Sequence, residues 1–126
     1  VQFTVQDEAF AFEALRAAGF AGDGGADIGE VLATTARIPD GHEDAWTAAW
    51  RTTAVRIARR GEESLLVGDR VSAREAFLRA SNYYRCAEFY RRDDPANDSQ
   101  ALSLSRCSRA RATRCSPARQ PILPAR

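Results

Sequence analysis

The strongest hydrophobic pattern in the chain runs through residues 71–90. Apolar and aromatic residues recur there at spacings of three and four, which places them on one stripe of an α-helix. The stripe consists of Ala73, Ala76, Phe77, Ala80, Tyr83, Tyr84, Ala87 and Tyr90. Ser72 and Glu75 have the spacing of a capping box and predict the start of the helix. Because alanines allow close approach, we predict a buried helix packed against a second helix.

A second amphipathic pattern, over residues 43–67, is predicted to supply the partner helix. Its apolar face consists of Trp46, Trp50, Thr53 and Ile57. Gly61 interrupts the pattern, but one glycine inside a helix costs only about 1 kcal/mol relative to alanine. We therefore predict one long helix over this range, weakened at Gly61, and a tight turn into the helix that follows.

Two shorter helices are predicted before this hairpin. Asp7 is placed to cap the first, and Gly19 is predicted to end it with a positive φ. Asp27 and Glu30 form a capping pair for the second. The residues predicted to face inward are Ala9, Phe10, Phe12, Leu15 and Ala18 in the first helix, and Ile28, Val31, Leu32 and Ala36 in the second. The fold class predicted from these patterns is all-α, with antiparallel helical hairpins and four to five helices.

The helical pattern fades towards the C-terminus. We predict a short helix around residues 99–109 and a disordered tail over residues 110–126, because this Arg- and Pro-rich segment has no apolar face to bury. Residues 1–109 are thus the predicted helical domain, and removal of residues 111–126 should change stability little. All 17 acidic residues precede residue 99. This abrupt change suggests that the sequence leaves its ancestral reading frame between Asp98 and Arg111.

Composition narrows the class of protein. With 126 residues, 44% hydrophobic and 28% charged, the chain is typical of one soluble domain. No apolar run approaches the roughly 20 residues that cross a bilayer, and the N-terminus lacks a secretory pattern. We therefore expect a cytoplasmic protein with no membrane partner. The three cysteines include no CxxC pair, so we predict reduced thiols, no metal site and no cofactor, with Cys86 as a packing residue.

Three segments, taken in order, resemble one protein family. They are Ala26 to Leu32, then Ile38 to Gly41 followed by Asp44, Trp46 and Trp50, and finally Val71 to Arg85. They resemble the helical region ahead of the catalytic domain in α/β hydrolases similar to dihydropseudooxynicotine hydrolase, fungal polyketide-shortening hydrolases of pigment pathways and the fermentation/respiration switch esterases. The resemblance covers roughly residues 7–105. It implies a lid over the active site of a serine-type hydrolase that cleaves an ester or a C–C bond next to a ketone.

The catalytic residues of that family are not recognisable in this sequence. Its chemistry requires a serine in a G-x-S-x-G elbow, an acid and a histidine. No serine has that context, and the one histidine, His42, lies in a predicted turn. We therefore predict no catalytic residue and no turnover by the chain alone. The resemblance implies a hydrolase catalytic domain as partner and, through that domain, a small ketone or ester as substrate.

Asn82, Tyr83 and Trp46 are the candidate substrate-binding residues. Aromatic residues at helical spacing are usually part of a core, but in a lid these three residues could form the wall of the substrate pocket. An amide beside a buried stripe requires hydrogen-bond partners. We expect substitution of Asn82 or Tyr83 to alter substrate range more than stability. Without the catalytic domain, we expect the aromatic stripe to leave apolar surface exposed.

Two other classes of protein compete with the lid interpretation. Helix pairs with alanine and aromatic stripes also occur in tetratricopeptide-like binding modules. However, residues 7–40 and 43–92 share no repeat of about 34 residues, and such modules usually stack three or more units. The Arg-rich tail resembles a nucleic-acid-binding arm in its charge, but no aromatic residue follows Tyr90 to stack on bases. We do not expect nucleic acid among the partners.

Overall fold

The computed structural model describes residues 5–91 and 95–117, apart from the side chains of residues 95–102. Its five α-helices are α1 (Glu8–Gly19), α2 (Ile28–Thr35), α3 (Glu43–Leu66), α4 (Arg70–Glu88) and α5 (Pro95–Cys115). Short 3-10 helices, Phe20–Asp23 and Phe89–Arg91, follow α1 and α4. The described residues contain no strand, so the all-α prediction is confirmed.

Helices α3 and α4 form the predicted hairpin, and α5 packs against the other side of α4. The turn between α3 and α4 uses Gly68 at φ +78°, a backbone conformation that favours glycine. Asp69 then caps α4, because its Oδ1 accepts a hydrogen bond from the backbone N–H of Ser72 at 3.0 Å. The prediction that Ser72 and Glu75 form the capping box is therefore wrong. The helix begins at Arg70, two residues earlier than Ser72.

The two predicted stripes are the core of the hairpin. Trp46, Trp50, Thr53 and Ile57 are fully buried, and so is the α4 stripe apart from a half-buried Tyr90. Helix α3 continues through Gly61, where an added Cβ would lie 2.9–3.0 Å from three ring carbons of Phe77. Real Cβ atoms essentially never come so close, so this glycine makes room for the Phe77 ring. Its presence reflects packing between the two helices.

Helix α1 has its predicted cap and ends at Gly19 as predicted, but Gly19 lacks the predicted positive φ. Asp7 Oδ1 accepts hydrogen bonds from the N–H groups of Ala9 and Phe10. Gly19 has φ −56°, and the positive φ occurs only at Gly24, after the following 3-10 helix. The predicted inward face is also partly wrong. Phe10 and Ala18 are buried together with Ala14 and Ala17, whereas Ala9, Phe12 and Leu15 are exposed.

Helix α2 turns a different face inward from the one predicted. Val31 is buried as expected, but Ile28, Leu32 and Ala36 are exposed. Thr34 and Thr35 take the inner positions instead. Each threonine hydroxyl donates to a carbonyl four residues earlier, at 2.7 and 3.0 Å, and Thr34 Oγ1 also lies 2.7 Å from Thr53 Oγ1. These bonds remove the cost of burying the hydroxyls.

Helix α5 corrects the predicted start of the tail. It continues past Arg109 to Cys115, so the prediction of disorder is wrong for residues 110–115. Ala112 and Cys115 are buried against Ala73 and Phe77 of α4. We therefore no longer expect removal of residues 111–126 to leave stability unchanged. The remainder of the predicted tail, residues 118–126, lies outside the described residues.

An arginine explains why this Arg-rich helix has a buried face. The Arg111 guanidinium lies 5.2 Å from the ring centroid of Phe77 and forms an ion pair with Glu62 on α3. Long arginine side chains can cover apolar surface while their charged ends stay near water. The apolar residues of α5 that pack in the core include only Ala112, Cys115 and the partly buried Leu104 among its described side chains, which leaves a very weak apolar pattern in the sequence.

Candidate functional site

Asn82 lies at the point where α4 meets the N-terminal part of the chain. Its Nδ2 donates to the carbonyl oxygens of Gly25 at 2.9 Å and Ala17 at 3.3 Å. One amide therefore holds α4 against both the end of α1 and the loop that precedes α2. A buried amide needs hydrogen-bond partners, and these two carbonyl oxygens provide them, as expected from the sequence.

Tyr83 makes a second polar connection between α4 and α2. Its hydroxyl accepts from the Asp27 N–H at 2.9 Å and donates to Glu30 Oε2 at 2.7 Å. Arg79 Nε donates to the same carboxylate oxygen at 3.1 Å. Burial, above all, raises the pKa of Tyr83 far above its ordinary value of 10.0. The phenol therefore stays protonated and serves as the donor to Glu30.

These contacts revise the predicted capping pair of α2. Asp27 caps the helix as predicted, since its Oδ1 accepts from the Glu30 N–H at 2.9 Å. Glu30, however, points towards α4, and the Tyr83 hydroxyl accepts from the Asp27 N–H that a capping-box glutamate would have bonded. Tyr83, which lies 56 positions after Asp27, thus completes a local motif.

Trp46 lies at the centre of an aromatic cluster. Its ring centroid is 4.9 Å from that of Phe10, 5.4 Å from Tyr90 and 5.6 Å from Trp50. Its Nε1 donates to the Cys86 carbonyl oxygen at 2.8 Å. Trp46 and Tyr83 are both completely buried in the chain. Asn82, in contrast, lines two open clefts.

Two clefts of about 270 Å³ each lie on either side of Asn82. The first, which we call the α1 cleft, is lined by Glu13, Arg16, Ala17, Phe20, Asn82, Arg85, Cys86 and Phe89. The second, the α5 cleft, is lined by Phe20, Asp23, Gly25, Leu78, Ser81, Asn82, Arg85, Ser105, Arg106 and Arg109. Arg85 separates the two, with its guanidinium 5.1 Å from the ring centroid of Phe20.

Arg85, Arg106 and Arg109 are not among the site residues predicted from the sequence. Arg106 and Arg109 have the spacing of helix neighbours, which was the one available signal for a shared face. Arg85 comes from α4 and joins them only because α5 packs on α4. The α5 cleft is thus a product of tertiary packing.

The described residues bring together no recognisable serine–histidine pair. His42 is exposed at the start of α3. Two buried serines, one of α4 and one of α5, contact each other instead, with Ser81 Oγ and Ser105 Oγ 3.3 Å apart.

Among the described residues, no group of three or more His, Cys, Asp or Glu side chains could hold a metal ion. Over the described ranges, no helix has the length and apolar character needed to cross a bilayer.

Cys86 should make the protein less stable in alkaline solution. Burial raises the pKa of its thiol from 9.0 to about 12, so the unfolded chain loses this proton first as pH rises. By linkage, the stabilisation is complete below about pH 9 and is lost as the pH approaches about 12. Burial also raises the pKa of Tyr90 to about 12. Urea denaturation over this range should show a shallower loss of stability for Cys86→Ala than for the parent.

The matched control for this measurement is Cys107→Ala, because Cys107 is exposed. It should follow the alkaline curve of the parent protein. A Cys86→Ala curve parallel to the parent would contradict the assignment of the alkaline loss to this thiol.

The fold and the site together define a helical domain with polar clefts and no recognisable catalytic triad in its described part. Sequence comparison relates this domain to part of larger enzymes. The chain is 47% identical over 89 residues to the hydrolase acrC of Aspergillus aculeatus, covering 68% of this chain and 21% of that protein. It is 42% identical over 99 residues to a 20-hydroxy-prefusarin hydrolase of Gibberella moniliformis, covering 79% and 23%.

A third relative, the α/β hydrolase pydG of an Acremonium species, is 38% identical over 87 residues, which is 69% of this chain and 20% of that protein. The chain is therefore similar to one segment of hydrolases, including α/β hydrolases, and the predicted resemblance is confirmed. It spans between a fifth and a quarter of the length of these relatives. No family model and no solved structure matches it.

The tetratricopeptide-like alternative is not favoured. Helices α1 to α4 have 12, 8, 24 and 19 residues, which do not form two equal pairs. Repeat modules are built from units of similar size that stack on one another. The similarity to hydrolases also extends across most of the chain.

Proposed function

We propose that this chain is the helical lid region of a serine-type α/β hydrolase and that it has no catalytic activity of its own. The observation that carries the proposal is the match to hydrolases over 20–24% of their length, by a chain whose described residues form helices without a strand. A G-x-S-x-G elbow joins a strand to a helix. The nucleophile, its base and the oxyanion hole would therefore come from the remainder of the enzyme.

In this proposal the helices shape the substrate pocket and exclude water from it. Desolvation strengthens electrostatic interactions at the reacting atoms. Asn82, Tyr83 and Glu30 would keep α4, α1 and α2 in one rigid arrangement, which a pocket wall requires. The substrate would be a small ketone or ester, and the enzyme would cleave the ester or a C–C bond beside the ketone.

The exposed face of α2 is suited to contact a catalytic domain. Ile28 and Leu32 are 45% and 38% exposed. Between Ile28 and Ala36 the only charged side chain is Glu30, and it is bonded to Tyr83 and Arg79. Uncharged apolar faces of this kind often mark protein contacts.

This surface differs from the one expected from the sequence. The aromatic stripe of α4 packs inside the hairpin, so the expectation that it would be exposed is wrong. Among the side chains that the structure describes, the large apolar ones that are exposed are Phe12, Leu15, Ile28, Leu32, Val55, Leu65, Leu66, Val67 and Val71. They lie on α1, on α2, on α3 and around the turn between α3 and α4.

Reconstitution would test the proposal. The chain is mixed with a form of the Aspergillus aculeatus hydrolase that lacks its matching segment, and turnover of p-nitrophenyl acetate and of benzoylacetone is followed. We expect no turnover by the chain alone and at least about a tenfold gain when the two are mixed, since a tenfold rate corresponds to only about 1.4 kcal/mol of barrier. Ile28→Ser/Leu32→Ser should reduce the gain.

The matched control is Leu66→Ser/Val67→Ser, which removes two exposed apolar side chains at the other end of the hairpin. It should preserve the gain. Turnover by the chain alone that disappears on replacement of one serine would overturn the non-catalytic assignment. Absence of both binding and rate gain would overturn the lid assignment.

A further inference from the structure

We propose that the α5 cleft binds a small aromatic carboxylate, whose anionic group is recognised by Arg85, Arg106 and Arg109. The proposal concerns ligand binding by this chain itself and goes beyond its assignment as a lid. It requires no catalytic domain, so the two proposals can fail separately.

The charges that line the α5 cleft favour an anion. The residues that line it include three arginines and one acidic residue, Asp23. An arginine offers several N–H donors in a planar fork that matches a carboxylate, and such charge-assisted bonds are among the stronger ones. Arg106 and Arg109 approach from α5, whereas Arg85 approaches from α4. An anion between the helices could therefore accept hydrogen bonds from both sides.

The other walls of the α5 cleft favour an aromatic body. Phe20 and Leu78 contribute apolar surface, and the volume of about 270 Å³ suits a ligand the size of a naphthoate. Arg85 already lies 5.1 Å from the Phe20 ring centroid, a position in which the ring attracts a cation. This contact holds one of the recognising groups beside the apolar wall before any ligand binds.

The floor of the α5 cleft is held in place by hydrogen bonds within the chain. Ser105 Oγ donates to the Ser81 carbonyl oxygen at 2.9 Å and so joins α5 to α4. Asn82 Nδ2 donates to the Gly25 carbonyl oxygen at 2.9 Å on the opposite side. All four residues line the cleft. Little ordering would then be needed on binding, which preserves affinity.

The α1 cleft has the same volume but a less favourable charge distribution. There Arg16 Nη1 lies 3.1 Å from Glu13 Oε1, so the charge of that arginine is already matched. Arg85 is its one other cationic residue. Of these two clefts, which have equal volume, the α5 cleft has the larger number of arginines and is therefore the better suited to an anion.

Isothermal titration of the full chain with 2-naphthoate and with 2-naphthamide would test the proposal. The two probes have nearly the same shape and differ in charge. We expect 2-naphthoate to bind at least about tenfold more tightly, and its affinity to fall with added salt. Arg106→Gln/Arg109→Gln should remove most of that preference, whereas Arg106→Lys/Arg109→Lys should retain part of it.

The matched control is Arg56→Gln/Arg60→Gln, which removes two exposed charges from α3. It should bind 2-naphthoate like the parent, and thermal melts should show that all variants fold. Equal affinity for the two probes, or equal losses in the control and the α5 variants, would overturn the proposal. Absence of measurable binding to the parent chain would overturn it as well.

Discussion

Replacing Trp46 with alanine is expected to remove about 3–5 kcal/mol from the free energy of unfolding. Trp46 is completely buried and contacts the rings of Phe10, Trp50 and Tyr90. Its Nε1 also donates to the Cys86 carbonyl oxygen. The substitution would leave a large cavity at the junction of α1, α3 and α4, where the surrounding rings cannot easily close the gap. This loss is a large part of the roughly 5–15 kcal/mol that stabilises a domain.

Urea denaturation followed by circular dichroism would measure the effect, with two Trp→Phe variants as matched controls. Trp50 Nε1 is buried without a hydrogen-bond partner in the described part of the chain. Trp50→Phe therefore breaks no hydrogen bond of that indole, whereas Trp46→Phe removes the indole donor to the Cys86 carbonyl oxygen, which retains the Phe89 N–H. Trp46→Phe should cost about 0.5–1.5 kcal/mol more than Trp50→Phe. A Trp46→Ala transition that overlays the parent would contradict the packing described above.

Removing either polar connection of α4 should also destabilise the fold, by about 1–3 kcal/mol each. Asn82→Ala removes the amide donor to the Gly25 and Ala17 carbonyl oxygens, of which Ala17 retains the Phe20 N–H. Tyr83→Phe removes both the acceptor for the Asp27 N–H and one of the donors to the Glu30 carboxylate. Buried polar groups that lose a partner bear their full desolvation cost. The loss of stability should therefore come mainly from weaker packing of α4 against α1 and α2.

A double-mutant cycle would separate these bonds from general packing. Tyr83→Phe and Glu30→Ala should each destabilise the chain, and their effects should not add, because both remove the same hydrogen bond. Parent-like stability in both Asn82→Ala and Tyr83→Phe would contradict the structural role assigned here. An effect on substrate range would then be the remaining expected role of these two residues.

The hairpin could be predicted from the sequence because both of its faces repeat at the helical period over many residues. The predicted range 43–67 differs from α3 by a single residue at its C-terminal end. The buried stripe of α4 was predicted correctly for the same reason, since a pattern of eight residues does not depend on any one of them. Errors occurred where the prediction depended on one residue, as with the positive φ expected at Gly19 and the cap expected at Ser72. Several neighbouring residues could end or cap these helices, and packing selected among them.

The sequence by itself determined the all-α class, the α3–α4 hairpin and the similarity to hydrolases, because local periodicity and residue order carry this information. Only the tertiary structure decided the rest. It buried the threonines of α2 in place of Ile28 and Leu32, and it extended α5 to Cys115. It also brought arginines of α4 and α5 to one cleft. Each of these features depends on groups far apart in the chain, whose interaction exists only once the helices have packed.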